Sequence, residues 1–280
     1  IKEINNENYR NYLLKNKSYW SKKKFSNTNK KILVTTFVHH PGYAITESII
    51  SKNIQDYSNF DIVGLLDEND KFNKKIIKSF DINEFIDYPK ISFFQRLIFL
   101  FKAYKAIVSL KNFQDFINYS DEDINYGRCV YDHIIRNTGN CTYKKIDYKF
   151  YFFLAEAFFC NNFSKDIFDK GSFKYMVMSE NQFLPSNVIF QNALKFKVKV
   201  LSRINGPNRI GLRLYSSSKE KLETNNKISE TLVKKIYNLN RKLYWDKGLK
   251  SLSNLFEGKV SHYDQNSQAL FLKKNYNSVQ

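Results

Sequence analysis

The chain has 280 residues, 42% of them hydrophobic, which suffices for one large domain or two small ones around an ordinary core. Its 45 basic and 27 acidic residues leave a formal charge of +18, which favours a polyanionic partner or an anionic membrane face through long-range attraction. The apolar share excludes intrinsic disorder. Three cysteines (Cys129, Cys141, Cys160) that are odd in number and lack metal-ligand spacing argue against a disulfide scaffold and a zinc site, and fit a reducing cytosol.

The lysines are dispersed. Their densest cluster is Lys22 to Lys24, followed by Lys30 and Lys31, and no nucleic-acid module accompanies them, so anionic sugars or an acidic inner leaflet are the expected partners rather than nucleic acid. The 25 Phe and 19 Tyr, set against 9 Gly and 4 Pro, read as the bias of an AT-rich coding sequence as much as chemistry. No signal peptide is legible, and a chain opening on Ile is expected to be part of a longer protein.

In chain order, residues 1–29 form a polar extension with at most one amphipathic helix, carrying Tyr9, Leu13 and Trp20, and then a Lys/Ser/Asn-rich connector. Lys31 to Val38 is rich in β-branched residues and predicts a buried strand, with His39-His40-Pro41-Gly42-Tyr43 as the turn after it. A helix over about Ala44 to Asp56 and a strand over Phe60 to Leu66 complete a β-α-β unit, which implies a parallel sheet. Asp67 to Pro89 reads as alternating short helical and polar pieces. Ile91 to Leu110 is the most apolar run, but Gln95, Arg96, Lys102 and Lys105 interrupt it, so a buried or interfacial helix is expected rather than a membrane span. The helical region continues to Tyr119.

Tyr126 to Arg136 concentrates polar and aromatic side chains in an otherwise apolar stretch. A helix begun near Val130 would put Asp132 and Arg136 on one face, either as a ligand-binding corner or as a structural ion pair. Ile146 to Lys170 has the period of a helix with an aromatic core face, and Phe173 to Ser179, a helix over Pro185 to Leu194 and Val198 to Arg203 repeat the strand-helix-strand grammar. Arg213 and Tyr215 fall in a further strand, after a turn at Gly206 and Pro207. From Ser216 the chain is helical and lysine-rich to about Glu257.

In open parallel sheets ligands bind beyond the carboxyl ends of the strands. His39, His40, Gly42 and Glu47 follow one strand end, Ser179, Glu180 and Asn181 a second, and Arg203, Asn205, Gly206 and Asn208 a third. Paired histidines there suit a proton shuttle or an anion, and equally a capping role. Neither a GxGxxG turn nor a P-loop is present, so the usual dinucleotide and ATP sites are not expected. Asp121-Glu122-Asp123 has DxD spacing but lies in a polar loop, where a solvated turn or cap is the simpler reading.

Phe37-Val38-His39-His40-Pro41-Gly42-Tyr43 with Thr46-Glu47, Gly127-x-x-x-Tyr131-Asp132-x-x-x-Arg136, Met178-Ser179 before a polar loop, and Gly211-x-Arg213-x-Tyr215 together carry a resemblance. In order and spacing, over roughly Lys31 to Tyr215, they resemble the amino-terminal half of bacterial capsular and surface-polysaccharide biosynthesis proteins, glycosyltransferases of GT-B type. The resemblance implies an α/β, Rossmann-like parallel sheet flanked by helices: a polar extension (1–29), an acceptor-side domain (30–215), and a helical region and linker toward a second, donor-binding domain (216–280). It implies transfer of a sugar from a nucleotide-sugar donor to a glycan acceptor, lipid-linked or acidic, in the cytoplasm or on the inner face of the plasma membrane. No metal or other cofactor is implied.

Under that reading the base is sought among Glu180, Asp132, His39 and His40. Arg136, Arg203 and Arg213 would hold phosphate or acidic groups, with Gly42, Glu47, Tyr126, Gly127, Tyr131, Ser179, Asn181 and Asn205 completing the substrate site. The alternatives are a non-catalytic domain binding glycan or a membrane assembly of the same pathway, and another surface-polysaccharide transferase, since fold alone does not fix chemistry.

Overall fold

The computed structural model describes residues 7–21, 29–138, 142–206, 209–217 and 230–256. Cys141, Pro207 and Asn208 lie outside them, as does the side chain of Asn205. The chain divides into two compact units, Ile1–Leu222 and Glu223–Gln280.

The first unit is an α/β domain of Rossmann-like type. Its elements run α1 (Glu7–Trp20), β1 (Lys31–Thr35), α2 (Pro41–Ser58), β2 (Asp61–Asp67), α3 (Lys71–Lys78), β3 (Glu84–Tyr88), α4 (Phe93–Val108), α5 (Phe113–Ile117), β4 (Ser120–Asp121), β5 (Ile124–Asn125), α6 (Tyr126–Thr138), α7 (Tyr148–Lys170), β6 (Phe173–Val177), α8 (Ser186–Lys195), β7 (Lys199–Gly206) and β8 (Arg209–Tyr215). Six strands form one sheet in the order β3-β2-β1-β6-β7-β8, parallel except that β8 returns antiparallel along β7. From β1 the chain winds one way through β2 and β3, and from β6 the other way through β7. The carboxyl ends of β1 and β6 therefore flank the topological switch point, where open sheets of this kind hold their ligands.

Each face of the sheet has its own core. Ile32 and Val34 of β1, with Ile62, Leu66 and Val177, pack against Ala44, Ile76, Ile77 and Trp20 from α1 to α3. Leu33, Val63, Leu65, Met176 and Val200 point the other way, into the larger core built by α4 to α8. The two-residue alternation of the strands sorts them. Because both faces are covered, β1 and β2 are apolar runs rather than alternating ones.

The differences from the sequence reading have local causes. A strand, β3, occupies part of the segment expected to be short helical and polar pieces. It is an edge strand whose Glu84, Asp87 and Tyr88 hide the apolar signal. The turn expected at His39 to Tyr43 is instead partly helix: α2 begins at Pro41, with His40 as its N-cap, because proline suits a helix's first turn and the His40 Nδ1 accepts the Gly42 N–H at 3.1 Å. Helix α6 starts at Tyr126, four residues earlier than expected. Glu122 and Asp123, at φ 50° and 66°, form the two-residue turn of the β4–β5 hairpin, and Glu122 is paired with Lys165 and Lys195. The acidic triplet is thus the last residue of β4 and a tight turn.

The second unit contains helices α9 (Glu230–Leu239) and α10 (Arg241–Phe256). Among the described residues no helix is long and apolar enough to cross a membrane.

Candidate functional site

Glu47 lies on the inner side of α2 and is 1% exposed. Its Oε1 accepts the backbone N–H of Ser179, just past the end of β6, at 2.8 Å, so one hydrogen bond ties the helix after β1 to the loop after β6 across the switch point. Its Oε2 has no partner, nor have the Ser179 hydroxyl and the Arg203 Nε, all three buried. Burial pushes the Glu47 carboxyl up to about 8, against the opposing pull of Ser179 and the Arg203 charge. At neutral pH Glu47 is therefore mostly a neutral acid.

Arg203, from β7, lies on the α2 face of the sheet and stacks its guanidinium 4.4 Å above the ring of Tyr43. His40 packs edge-on against the same ring. With its Nδ1 accepting from Gly42, a neutral His40 carries its proton on Nε2. His40, Gly42, Tyr43, Glu47, Ser179 and Arg203 are thereby gathered at one end of the β1, β6 and β7 strands.

Beside them, Glu180 accepts from Arg136 Nη1 at 3.2 Å through Oε2, and from the Gln182 N–H at 3.1 Å through Oε1. Arg136, from the last turn of α6, also stacks 4.1 Å from the Phe183 ring. The expected partnership of Asp132 with Arg136 does not form. Asp132 Oδ2 accepts from Arg128 Nε at 3.0 Å one turn earlier, because the β6–α8 loop offers Arg136 a carboxylate and a ring at once.

Other expected residues lie apart. Tyr126 is wholly buried against Tyr119 and Phe158. At Gly127, a Cβ would stand 1.7 Å from the Phe116 carbonyl oxygen, so this glycine serves the close approach of α6 to the end of α5 rather than a ligand. Tyr131 packs on Phe113 and its hydroxyl meets that of Thr142. His39 is turned away to Asp70, whose Oδ2 lies 3.3 Å from its Nδ1. Asn181 is buried in the loop and its carbonyl accepts from Asn187. Arg213 pairs opposite Ser202, and so emerges on the α8 face of the sheet, opposite to Arg203.

A group the sequence did not single out lines a cleft of about 390 Å³ at the carboxyl ends of β2 and β3: Asp67, Tyr88, Arg96, His133, Glu156 and Pro185. His133 stands one turn before Arg136 on α6, which joins the cleft to the switch-point group. Burial, helped by the Arg136 charge, lowers the His133 pKa to about 4, and its Nδ1 is buried without a partner while Nε2 lies 2.7 Å from Asn137 Nδ2. Burial also raises the Glu156 carboxyl, with Arg96 opposing. These residues come from five elements and the start of α8, far apart in the chain, and no spacing announces them.

The chain matches no family model, and no curated protein or solved structure gives a significant match. Two arginines stacked on aromatic rings, and a semi-apolar cleft one turn of α6 from one of them, suit an anionic, hydroxyl-bearing ligand, and Glu47 is a buried acid held by Ser179 near the other. Among the described residues no group of three or more His, Cys, Asp or Glu is placed to hold a metal ion. Cys129 and Cys160 are free and buried, and burial raises both thiols, that of Cys160 to about 12. Neither is an activated nucleophile.

Proposed function

We propose that this chain is a glycosyltransferase, or the acceptor-side domain of one, of capsule or surface-polysaccharide biosynthesis, transferring a sugar from a nucleotide-sugar donor to a glycan acceptor. The observation that carries this reading is the Glu47 carboxyl, buried at the switch point with one oxygen held by Ser179 and the other unpartnered beside Arg203. Sugar transfer needs a group that removes the acceptor hydroxyl's proton and positive charge beside the departing phosphate. In its ionised form, which gains as pH rises toward 8, Glu47 meets the first need with an unpartnered oxygen, whereas both oxygens of Glu180 are engaged. Arg203 and Arg136 fit the second, being planar donors on aromatic supports.

The test is a panel of nucleoside diphosphate sugars and oligosaccharides presented to the full-length protein, with binding read by saturation-transfer NMR and turnover by release of the nucleotide. One donor should be consumed in the presence of acceptor. Glu47→Gln should lower turnover about 100-fold or more with binding retained, and Arg203→Ala should weaken donor binding about tenfold. Normal turnover by Glu47→Gln, or binding of no sugar at all, would remove the proposal. A second reading rests on Arg203 and Arg136, which suit an acidic glycan as well as a departing phosphate. In it the chain binds glycan without transfer, and glycan binding with no donor consumed would be its signature.

A further inference from the structure

Helix α4 turns its most apolar side outward. Ala103 and Ile107 are its buried residues, whereas Phe94, Leu97, Ile98, Phe101, Tyr104 and Val108 are all exposed, Phe94 to 76%. At 100° per residue these six fall within one stripe about 120° wide that runs the length of the helix. An exposed apolar stripe of this length on a well-formed helix costs solubility and needs a partner.

Charge decides which partner. The sixteen residues of α4 contain Arg96, Lys102 and Lys105 and no carboxylate, with Lys90 and Lys111 just beyond its ends. Arg96 and Lys102 lie off the stripe against α7, over the rings of Phe152 and Phe158, and their carboxylate neighbours are Glu156 of α7 and Asp121 of β4. Lys105 lies inside the stripe and is exposed, its ammonium 4.4 Å over the Phe101 ring. Against a second copy of the same face, Lys105 would be buried among apolar side chains opposite another basic face, an uncompensated charge. Against a bilayer it would run its stem along Phe101 and place its ammonium among lipid phosphates. With three basic residues and about 24 Å of length, the helix suits lying in the interface rather than crossing it.

We propose that α4 docks this protein on an anionic lipid surface, with the Phe94 to Val108 stripe inserted below the headgroups and Lys105 and the flanking lysines contacting phosphate. This attachment is independent of any transferase activity.

The test is sedimentation of the full chain with vesicles of phosphatidylcholine alone and of phosphatidylcholine with phosphatidylglycerol. Wild type should bind the mixed vesicles and bind pure phosphatidylcholine at least tenfold more weakly. Phe94→Ser combined with Phe101→Ser should lower partitioning about tenfold or more, and Lys105→Glu several-fold, with melting temperature and circular dichroism unchanged because the positions are exposed. The proposal fails if wild type does not bind mixed vesicles. It fails equally if the double variant binds like wild type, which would assign binding to the general positive charge or to α9 and α10. It also fails if wild type is a dimer in solution and the double variant a monomer, which would make α4 a contact between copies.

Discussion

Two side chains at the candidate site titrate in opposite senses, and the balance between them sets how stability should follow pH. Glu47 passes from an ordinary value of 4.5 to about 8 on folding, so the native state holds a proton that the unfolded chain has released between those values. Its contribution is fully present below the unfolded value and is lost as pH rises, by up to about 1.4 kcal/mol per pH unit. His133 moves from 6.5 to about 4, so its contribution is present above 6.5 and is lost as pH falls. Stability is expected to peak at mildly acidic pH. Denaturant melts of Glu47→Gln should gain on wild type steadily from pH 5 to 8, and a constant difference between the two would show that Glu47 is not protonated in the native state. Asp132 offers a contrasting case. Because it pairs with Arg128 on an exposed surface, Asp132→Asn should change neither ligand binding nor, by more than about 1 kcal/mol, stability.

At the level of elements, helices α5 to α8 are joined by contacts that tolerate little change. Gly127 lets the first turn of α6 meet the Phe116 carbonyl. Gly127→Ala must push backbone against backbone, and the expected loss of about 3 kcal/mol or more would be read as a fall in denaturation midpoint. Between α7 and α8, the buried Asn192 Nδ2 donates to Asn161 Oδ1 at 2.9 Å and to Ser164 Oγ at 2.7 Å. Asn192→Leu leaves both acceptors buried without that donor and should cost about 1–3 kcal/mol. A loss below about 0.5 kcal/mol would mean that water replaces the amide. Since α8 begins at the end of the loop that carries Glu180, loosening this joint should also weaken whatever binds beside Arg136.

For the whole molecule, the excess of 45 basic over 27 acidic residues dominates the long-range field. Self-repulsion of a charge of +18 is relieved by screening, so raising salt from about 0.05 to 0.3 M should raise the melting temperature by a few degrees and weaken association with anionic vesicles. A melting temperature that falls with salt would show that specific ion pairs, such as those of Glu122 with Lys165 and Lys195, outweigh the general repulsion.

By itself the sequence determined the α/β class, most strands of the main sheet and the strand ends where polar residues collect, because burial on both faces writes long β-branched runs and because ligand residues need loops. It also showed Tyr126 to Arg136 as an unusual stretch, but not how its polarity is divided. Tertiary structure turned Tyr126 into core, Gly127 into a packing contact, Asp132 toward Arg128, and Arg136 toward Glu180. Only folding could decide that the helix after β1 and the loop after β6 meet, which places Glu47 under Ser179 and out of water, 132 residues away in the chain. Its pKa belongs to that burial, a property of the neighbours that packing brings and not of any spacing in the chain. The outward stripe of α4 has the same origin. Periodicity shows that a helix has an apolar side, and only the packing of Ala103 and Ile107 on the domain shows which side is left facing out.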